Sequence, residues 1–263
     1  EWVWLFDFTK RVVAANMIHI AFLKEADNPQ KFRSLWTKAS MKEAMQIIEK
    51  EFSQNPELDY IKRTWKIGLV YIPWRFKNLD RVTKKYKYSI WLNDQMYYAR
   101  IRSLAISGRI IARKGNLNGT ITIRGIADAA TKMGVPIRLV YLSNAEEYIP
   151  AYSDAFKKNF TALPSDGRAV LLRTISFQKW KYPWSPDSEI STDKGFHYNV
   201  MSLTLFQEYL SRPSQKLSVH DLMKSAVVDK ENGISVIQAI QEAVPPKKDI
   251  TKQSAKKQEI NGK

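Results

Sequence analysis

Residues 109–175 constrain the fold more than any other stretch, because the hydrophobic period changes repeatedly within a short span. Residues 109–114 (Arg-Ile-Ile-Ala-Arg-Lys) are β-prone, and Gly115-Asn116-Leu117-Asn118-Gly119 is turn chemistry. Residues 121–133 have helical spacing with Thr120 placed to cap them, Gly134 closes the helix, and residues 136–142 are strongly β-prone. Strand, tight loop, short helix and strand make a βαβ unit, whose two strands are expected to be parallel through a right-handed crossover. Ser143-Asn144-Ala145-Glu146 then reads as a capping box opening a helix to about Asn159. After the turn at Leu163-Pro164-Ser165-Asp166-Gly167, residues 168–175 form a further strand. The fold class expected is α/β, Rossmann-like, with a mostly parallel sheet and helices on both faces.

The flanks fit that frame. Residues 1–6 suit a strand ending at Asp7, and residues 11–26 a helix with Val12, Val13, Met17, Ile20 and Phe22 as its apolar stripe. Asp27-Asn28-Pro29 stops it. Ser40-Met41-Lys42-Glu43 is a second capping box, for a helix reaching about Phe52. Residues 67–73 are expected as a short strand. Residues 92–107 are expected as a helix with Tyr97, Ile101, Leu104 and Ala105 on one side, closed by Gly108. Residues 179–195 read as a loop and 197–210 as a helix. Beyond Val244, Pro245-Pro246 introduces a Lys- and Gln-rich tail with six lysines against two acidic residues. One domain over 1–244 and a disordered basic tail over 245–263 are expected. The chain opens on Glu1-Trp2-Val3-Trp4, which has the character of mid-strand, so the first strand of the sheet and its glycine loop are expected to lie upstream by truncation.

Composition removes several chemistries. With no cysteine there are no disulfides, thiolate metal sites or thiol nucleophile. His19, His197 and His220 are far apart and form no spaced metal motif. No run approaches the roughly 20 apolar residues of a transmembrane helix. The formal net charge of +16 favours anionic partners. Half of it falls in residues 61–88, where Lys62, Arg63, Lys66, Arg75, Lys77, Arg81, Lys84, Lys85 and Lys87 meet only Asp80. Trp65, Tyr71, Trp74, Phe76, Tyr86 and Tyr88 are interleaved with them. Basic residues with aromatics suit a groove for single-stranded nucleic acid; the plainer reading is a solvated surface whose aromatics face a core.

In open parallel sheets, ligands bind at the carboxyl ends of the strands. Three segments are expected there. Asp7 could take a ribose diol, or simply cap the next helix. Gly115, Asn116 and Leu117 could approach a ligand closely, or only turn the chain. Ser143, Asn144 and Glu146 offer a helix N-terminus, or serve as caps alone. Asp166 with Arg168 and Arg173 could hold an acidic group or form ion pairs among themselves. His197, beside Tyr198 and Asn199, could be a general base or a structural histidine.

The segment Tyr141-Leu142-Ser143-Asn144-Ala145-Glu146-Glu147-Tyr148, followed by Asn159, Leu163-Pro164, Asp166 and Leu172-Arg173-Thr174, resembles a Leptospira-type Rossmann-like family of unknown function, the DUF7790 type. Gly108-Arg109-Ile110 and Gly115-Asn116-Leu117 also fit, with Asn116 standing where the family commonly carries an acidic residue. The resemblance is specific over residues 97–175. It implies a fold similar to class I S-adenosylmethionine-dependent methyltransferases, without implying methyl transfer itself. Joined to the strand-end segments, it leads to the expectation of a methyltransferase-like domain, catalytic or degenerate, with S-adenosylmethionine as the cofactor near Asp7, Gly115, Asn116, Leu117, Ser143, Asn144 and Glu146. The competing expectation is a non-enzymatic module that binds nucleic acid or another polyanion through residues 61–88. The first demands a pocket collecting Asp7, Asn116 and Asn144; the second demands that the nine basic side chains share one exposed face.

Overall fold

The computed structural model describes residues 1–176, 196–213, 216–229, 231 and 234–239. The chain is α/β. The span expected of one domain divides into two compact units, Glu1–Ile126 and Ala127–Lys263. The loop expected over 179–195 and the tail expected from 245 lie outside the described residues.

In the first unit β1 (Val3–Asp7) is followed by α1 (Lys10–Glu25), α2 (Pro29–Ser34), α3 (Met41–Phe52), α4 (Leu58–Tyr86), α5 (Gln95–Ile106) and β2 (Ile110–Lys114). β1 and β2 run parallel, in register from Val3 opposite Ile110 to Asp7 opposite Lys114. The core is aromatic. Phe22, Phe32, Trp36, Trp65 and Tyr98 are all fully buried. The indole N–H of Trp65 donates to the Leu35 carbonyl at 3.0 Å, and the Tyr98 hydroxyl to that of Ala26 at 3.1 Å. Asn28 caps α2 by accepting from the Lys31 amide, and Asp94 caps α5 by accepting from the Met96 and Tyr97 amides. Gly108, at φ +68°, ends α5 as expected of a left-handed helix stop.

Several local expectations are corrected here. Residues 67–73 are not a strand but the middle of α4, a helix of 29 residues. Its buried positions, Ile61, Thr64, Trp65, Gly68, Phe76 and Thr83, follow helical intervals of three, four and seven to eight, not alternation. A Cβ on Gly68 would lie 2.7 Å from the Trp36 ring, so the α4 backbone sits against that indole. In α1, Val12 points outward and Ile18 and Ala21 point inward. Ser40 makes no side-chain cap, because Lys38–Ser40 is a 3-10 turn, and Glu43 instead pairs with Lys31 at 2.6 Å.

α6 (Thr122–Lys132) crosses the division between the units. The second unit holds β3 (Leu139–Tyr141), α7 (Asp154–Thr161), β4 (Val170–Ser176), β5 (Phe196–Ser202), α8 (Leu203–Leu210), α9 (Val219–Met223), β6 (Val227–Asp229) and β7 (Ile234–Ile237). The sheet order is β3-β4-β5-β7-β6, with β3/β4 and β5/β7 parallel and β4/β5 and β6/β7 antiparallel. This sheet is mixed, not mostly parallel.

The βαβ expectation for residues 109–142 also changes. β2 pairs with β1, whereas β3 pairs with β4, so the two strands belong to separate sheets. β3 is only three residues long, and its attachment to β4 extends beyond the strand itself. The Leu142 amide donates to the Leu172 carbonyl at 3.0 Å, and the Thr174 amide to the Ser143 carbonyl at 2.8 Å. The helix expected from 197 begins only at Leu203. Residues 196–202 alternate instead, with His197, Asn199 and Met201 inward and Phe196 and Tyr198 outward.

Candidate functional site

The two candidate loops occupy different units. In the first, Asp7 and Gly115 stand at the carboxyl ends of the parallel pair, and the Gly115 amide donates to the Asp7 carbonyl at 3.0 Å. One Asp7 carboxylate oxygen accepts from the Thr9 amide at 2.6 Å, which fixes the entry to α1. Asn116 accepts from the Asn118 amide at 2.9 Å, and its carbonyl from the Gly119 amide at 3.0 Å, closing the turn that carries Leu117. A Cβ on Gly115 would lie 2.6 Å from the Thr122 methyl group. The glycine is needed for close packing against Thr122.

In the second unit, Ser143 has φ +52°, and the helix expected to run from the Ser143 capping box to about Asn159 is a 3-10 turn at Ala145–Tyr148 followed by α7, which begins only at Asp154 with Ser153 as its cap. Neither Ser143 nor Glu146 caps the 3-10 turn. Asn144, at the start of the turn, makes no side-chain cap bond. Glu146 instead turns inward and pairs with Arg173 at 2.6 Å, both side chains being at most 1% exposed. The Tyr152 hydroxyl donates to the other Glu146 oxygen at 2.5 Å. Arg173 also donates to the Asn199 side-chain oxygen at 2.9 Å and stacks over Phe206 at 5.3 Å. Asn199 in turn donates to the Ser235 hydroxyl at 3.0 Å. Burial, and then the Glu146 carboxylate, push the Tyr152 phenol well above its usual range. This network links β4, β5, β7 and the loop after β3 from within, and its members are sealed from solvent.

The remaining titratable candidates fit the same picture. Asp166 pairs with Arg138 at 3.1 Å and accepts from the Arg168 amide at 3.0 Å, so it does not join Arg173. His197 lies on β5 and burial pushes its pKa down to about 4. Burial also lowers His19, against an opposing bond to the Ala15 carbonyl. Among the described residues no group of three or more His, Asp or Glu could hold a metal ion.

The basic segment behaves differently. α4 turns one face to the core, and the other carries exposed apolar residues: Val70 is 80% exposed, and Ile67, Tyr71 and Trp74 are each more than half exposed. At 3.6 residues per turn, Arg63, Lys66, Lys77, Arg81, Lys84 and Lys85 fall within an arc of about 100°, and Ile67, Val70 and Trp74 fall inside it. All six cations are exposed. Only Lys62 of the nine basic residues has an acidic partner among the described residues, Glu49 at 2.6 Å. Asp80, the one acid of the segment, is taken by Arg33 through two bonds of 2.7 and 2.8 Å. Arg75 donates to the Tyr71 hydroxyl at 2.7 Å and lies over the Tyr71 and Trp74 rings. Lys87, at φ +53°, ends the helix. Beside that end lies an open polar groove of ≈ 350 Å³ lined by residues including Lys84, Lys87 and Tyr88.

Sequence reasoning found these nine residues but missed both the helix that brings six of them onto one arc, leaving Lys62, Arg75 and Lys87 outside it, and the aliphatic residues between the six. The signal was present as three- and four-residue spacing on two faces of one segment. Among the described residues no helix is long and apolar enough to cross a membrane.

Fold and site together define an α/β protein with a basic, aromatic helix face and a sealed polar network. The chain belongs to the family described as Domain of unknown function (DUF7790), which matches residues 1–238. No curated protein matches it.

Proposed function

We propose that this chain is a non-enzymatic binding module that engages a polyanion through the outer face of α4. The observation that carries the reading is the alignment of six exposed, acid-free cations on one continuous helix. Such a face gathers anions electrostatically and releases them as salt rises. Of the polar residues singled out from the sequence, Glu146, Arg173 and Asn199 bond one another in the interior of the sheet, and Asp7 bonds the Thr9 amide at a helix entry. Heparin is a suitable probe. The protein should be retained on it at low salt, and Lys77→Glu/Arg81→Glu should elute at clearly lower salt with unchanged circular dichroism. Equal elution of parent and variant would remove α4 from the interaction.

A second reading, a Rossmann-like domain related to S-adenosylmethionine-dependent methyltransferases, is favoured by one observation. β1 and β2 run parallel, with Asp7 and Gly115-Asn116 side by side at their carboxyl ends. In this reading the cofactor would meet Asp7 and Asn116, while Ser143, Asn144 and Glu146 belong to the other unit. Calorimetric titration with S-adenosylmethionine tests it, and no heat at millimolar ligand ends it.

A further inference from the structure

We infer that the polyanion met by α4 is the anionic surface of a lipid bilayer. The inference rests on the binding-module reading and names its partner. The cations alone do not separate a nucleic acid from a membrane; the residues between them do. Val70 is aliphatic, stands near the centre of the arc and is its most exposed apolar residue, and Ile67, also aliphatic, lies at the edge of the arc. A phosphodiester backbone offers nothing to an aliphatic side chain, and bases stack on aromatic rings rather than on branched alkyl groups. A bilayer offers anionic headgroups and, a few ångströms deeper, apolar acyl chains. A helix with aliphatic and aromatic residues on the facing side and Lys and Arg around them lies in that boundary.

The arrangement along α4 fits this depth profile. Along the helix, Ile67, Val70 and Trp74 occupy the middle stretch of the arc at intervals of three and four, with Tyr71 just outside it. Tyr and Trp favour the headgroup level. Arg63 and Lys66 precede this stripe, and Lys77, Arg81, Lys84 and Lys85 follow it. Their long stems let the charges reach phosphates while the shorter central side chains go deeper. At the C-terminal end, Lys84 and Lys87 border the polar groove of ≈ 350 Å³, and its one carboxylate, Asp80, is already paired with Arg33. That leaves two lysines to meet a headgroup phosphate there. A second copy of this chain is disfavoured on the same surface, since two such faces would repel.

The test uses the full chain in co-sedimentation with phosphatidylcholine vesicles, with and without phosphatidylserine, beside a single-stranded oligonucleotide measured by anisotropy. Binding is expected only to the phosphatidylserine vesicles, and to weaken with added salt. Ile67→Ser/Val70→Ser should reduce vesicle binding by roughly tenfold or more, as loss of partly buried aliphatic area requires. Lys84→Glu/Lys85→Glu should reduce it by roughly fivefold per charge removed. Both pairs are surface changes, and unchanged circular dichroism establishes that each variant is folded. Oligonucleotide binding without vesicle binding overturns the lipid assignment and leaves the polyanion module standing. Vesicle binding indifferent to Ile67→Ser/Val70→Ser overturns the role of the aliphatic stripe. Binding to neither ligand overturns both readings.

Discussion

Replacing Arg173 with Leu should be among the most damaging single changes in the second unit. The substitution removes a guanidinium that donates to Glu146 at 2.6 Å and to Asn199 at 2.9 Å, and that lies over Phe206. It leaves the Glu146 carboxylate 1% exposed with the Tyr152 hydroxyl as its partner. Removing one member of a buried ion pair costs roughly 3–5 kcal/mol, because the survivor remains charged and desolvated. Glu146→Leu should cost a comparable amount by stranding Arg173. The double variant Glu146→Leu/Arg173→Leu strands no charge. It orphans only the Tyr152 hydroxyl and the Asn199 oxygen, at about 1–3 kcal/mol each for an unsatisfied buried group. The double should therefore be far less unstable than the sum of the singles, with a coupling of roughly 2 kcal/mol or more. Urea unfolding followed by far-ultraviolet circular dichroism measures all four corners of the cycle. A loss below about 1 kcal/mol for Arg173→Leu, or additive singles, would refute the argument that a buried pair holds the loop after β3 to the sheet.

Two glycines on helices should respond in opposite directions. Gly68→Ala puts a methyl group 2.7 Å from the buried Trp36 ring and should destabilise by roughly 1–3 kcal/mol, whereas Gly125→Ala meets nothing within 4 Å and should stabilise by up to about 1 kcal/mol. Thermal unfolding of the two variants reads both signs. Stability should also fall as pH drops from about 7 toward 5. Burial lowers His19, and lowers His197 from 6.5 to about 4, so the unfolded chain takes up protons that the folded chain refuses. That stabilisation is complete above the unfolded pKa and is lost as pH falls toward the folded one. His197→Gln should flatten this slope, and an unchanged slope would remove the histidine from the effect. On the surface, Ile67→Ser and Val70→Ser should shift the urea midpoint only slightly, within the roughly 0.5 kcal/mol expected of exposed sites.

Local signals were legible wherever one residue decides the backbone. Gly108 and Gly134 both adopt positive φ at helix ends, as read from the sequence, and α1 stops before Asp27-Asn28-Pro29, although the new helix that Asn28 caps there was not read. Pairing between strands was not legible. The residues 110–114 and 139–141 look like neighbours because a short helix joins them, yet each finds a different partner. What directs β3 to β4 is a set of contacts spread along the chain: Glu146 to Arg173, and the Glu147 carboxylate accepting from the Ser176 amide at 2.7 Å. Residues 196–202 misled for a related reason. Their polar members point inward, because Arg173 offers Asn199 a partner there, and their aromatic members point outward. Hydrophobic alternation therefore runs opposite to the rule that sequence reading applies. Glu146 shows the same inversion at the candidate site: a cap by its spacing from Ser143, a buried ion-pair partner in the structure.

That contrast bears on where function lies. Charged residues that the fold requires are met by partners: Glu146 by Arg173, Asp80 by Arg33, Asp166 by Arg138. The six cations on the outer arc of α4 have no acidic partners among the described residues, and the aliphatic groups between them are left in water. Neither contributes to the core that Trp36, Trp65 and Phe76 build on the opposite side of the same helix. Like charges spaced along one face oppose helix formation slightly, by a few tenths of a kcal/mol per pair. Exposed aliphatic residues contribute nothing to burial. A surface that costs stability in both respects makes physical sense if something outside the chain supplies the opposing charge and the apolar cover. Unlike the inward-facing candidates, this face has both its charge and its apolar surface available to a partner.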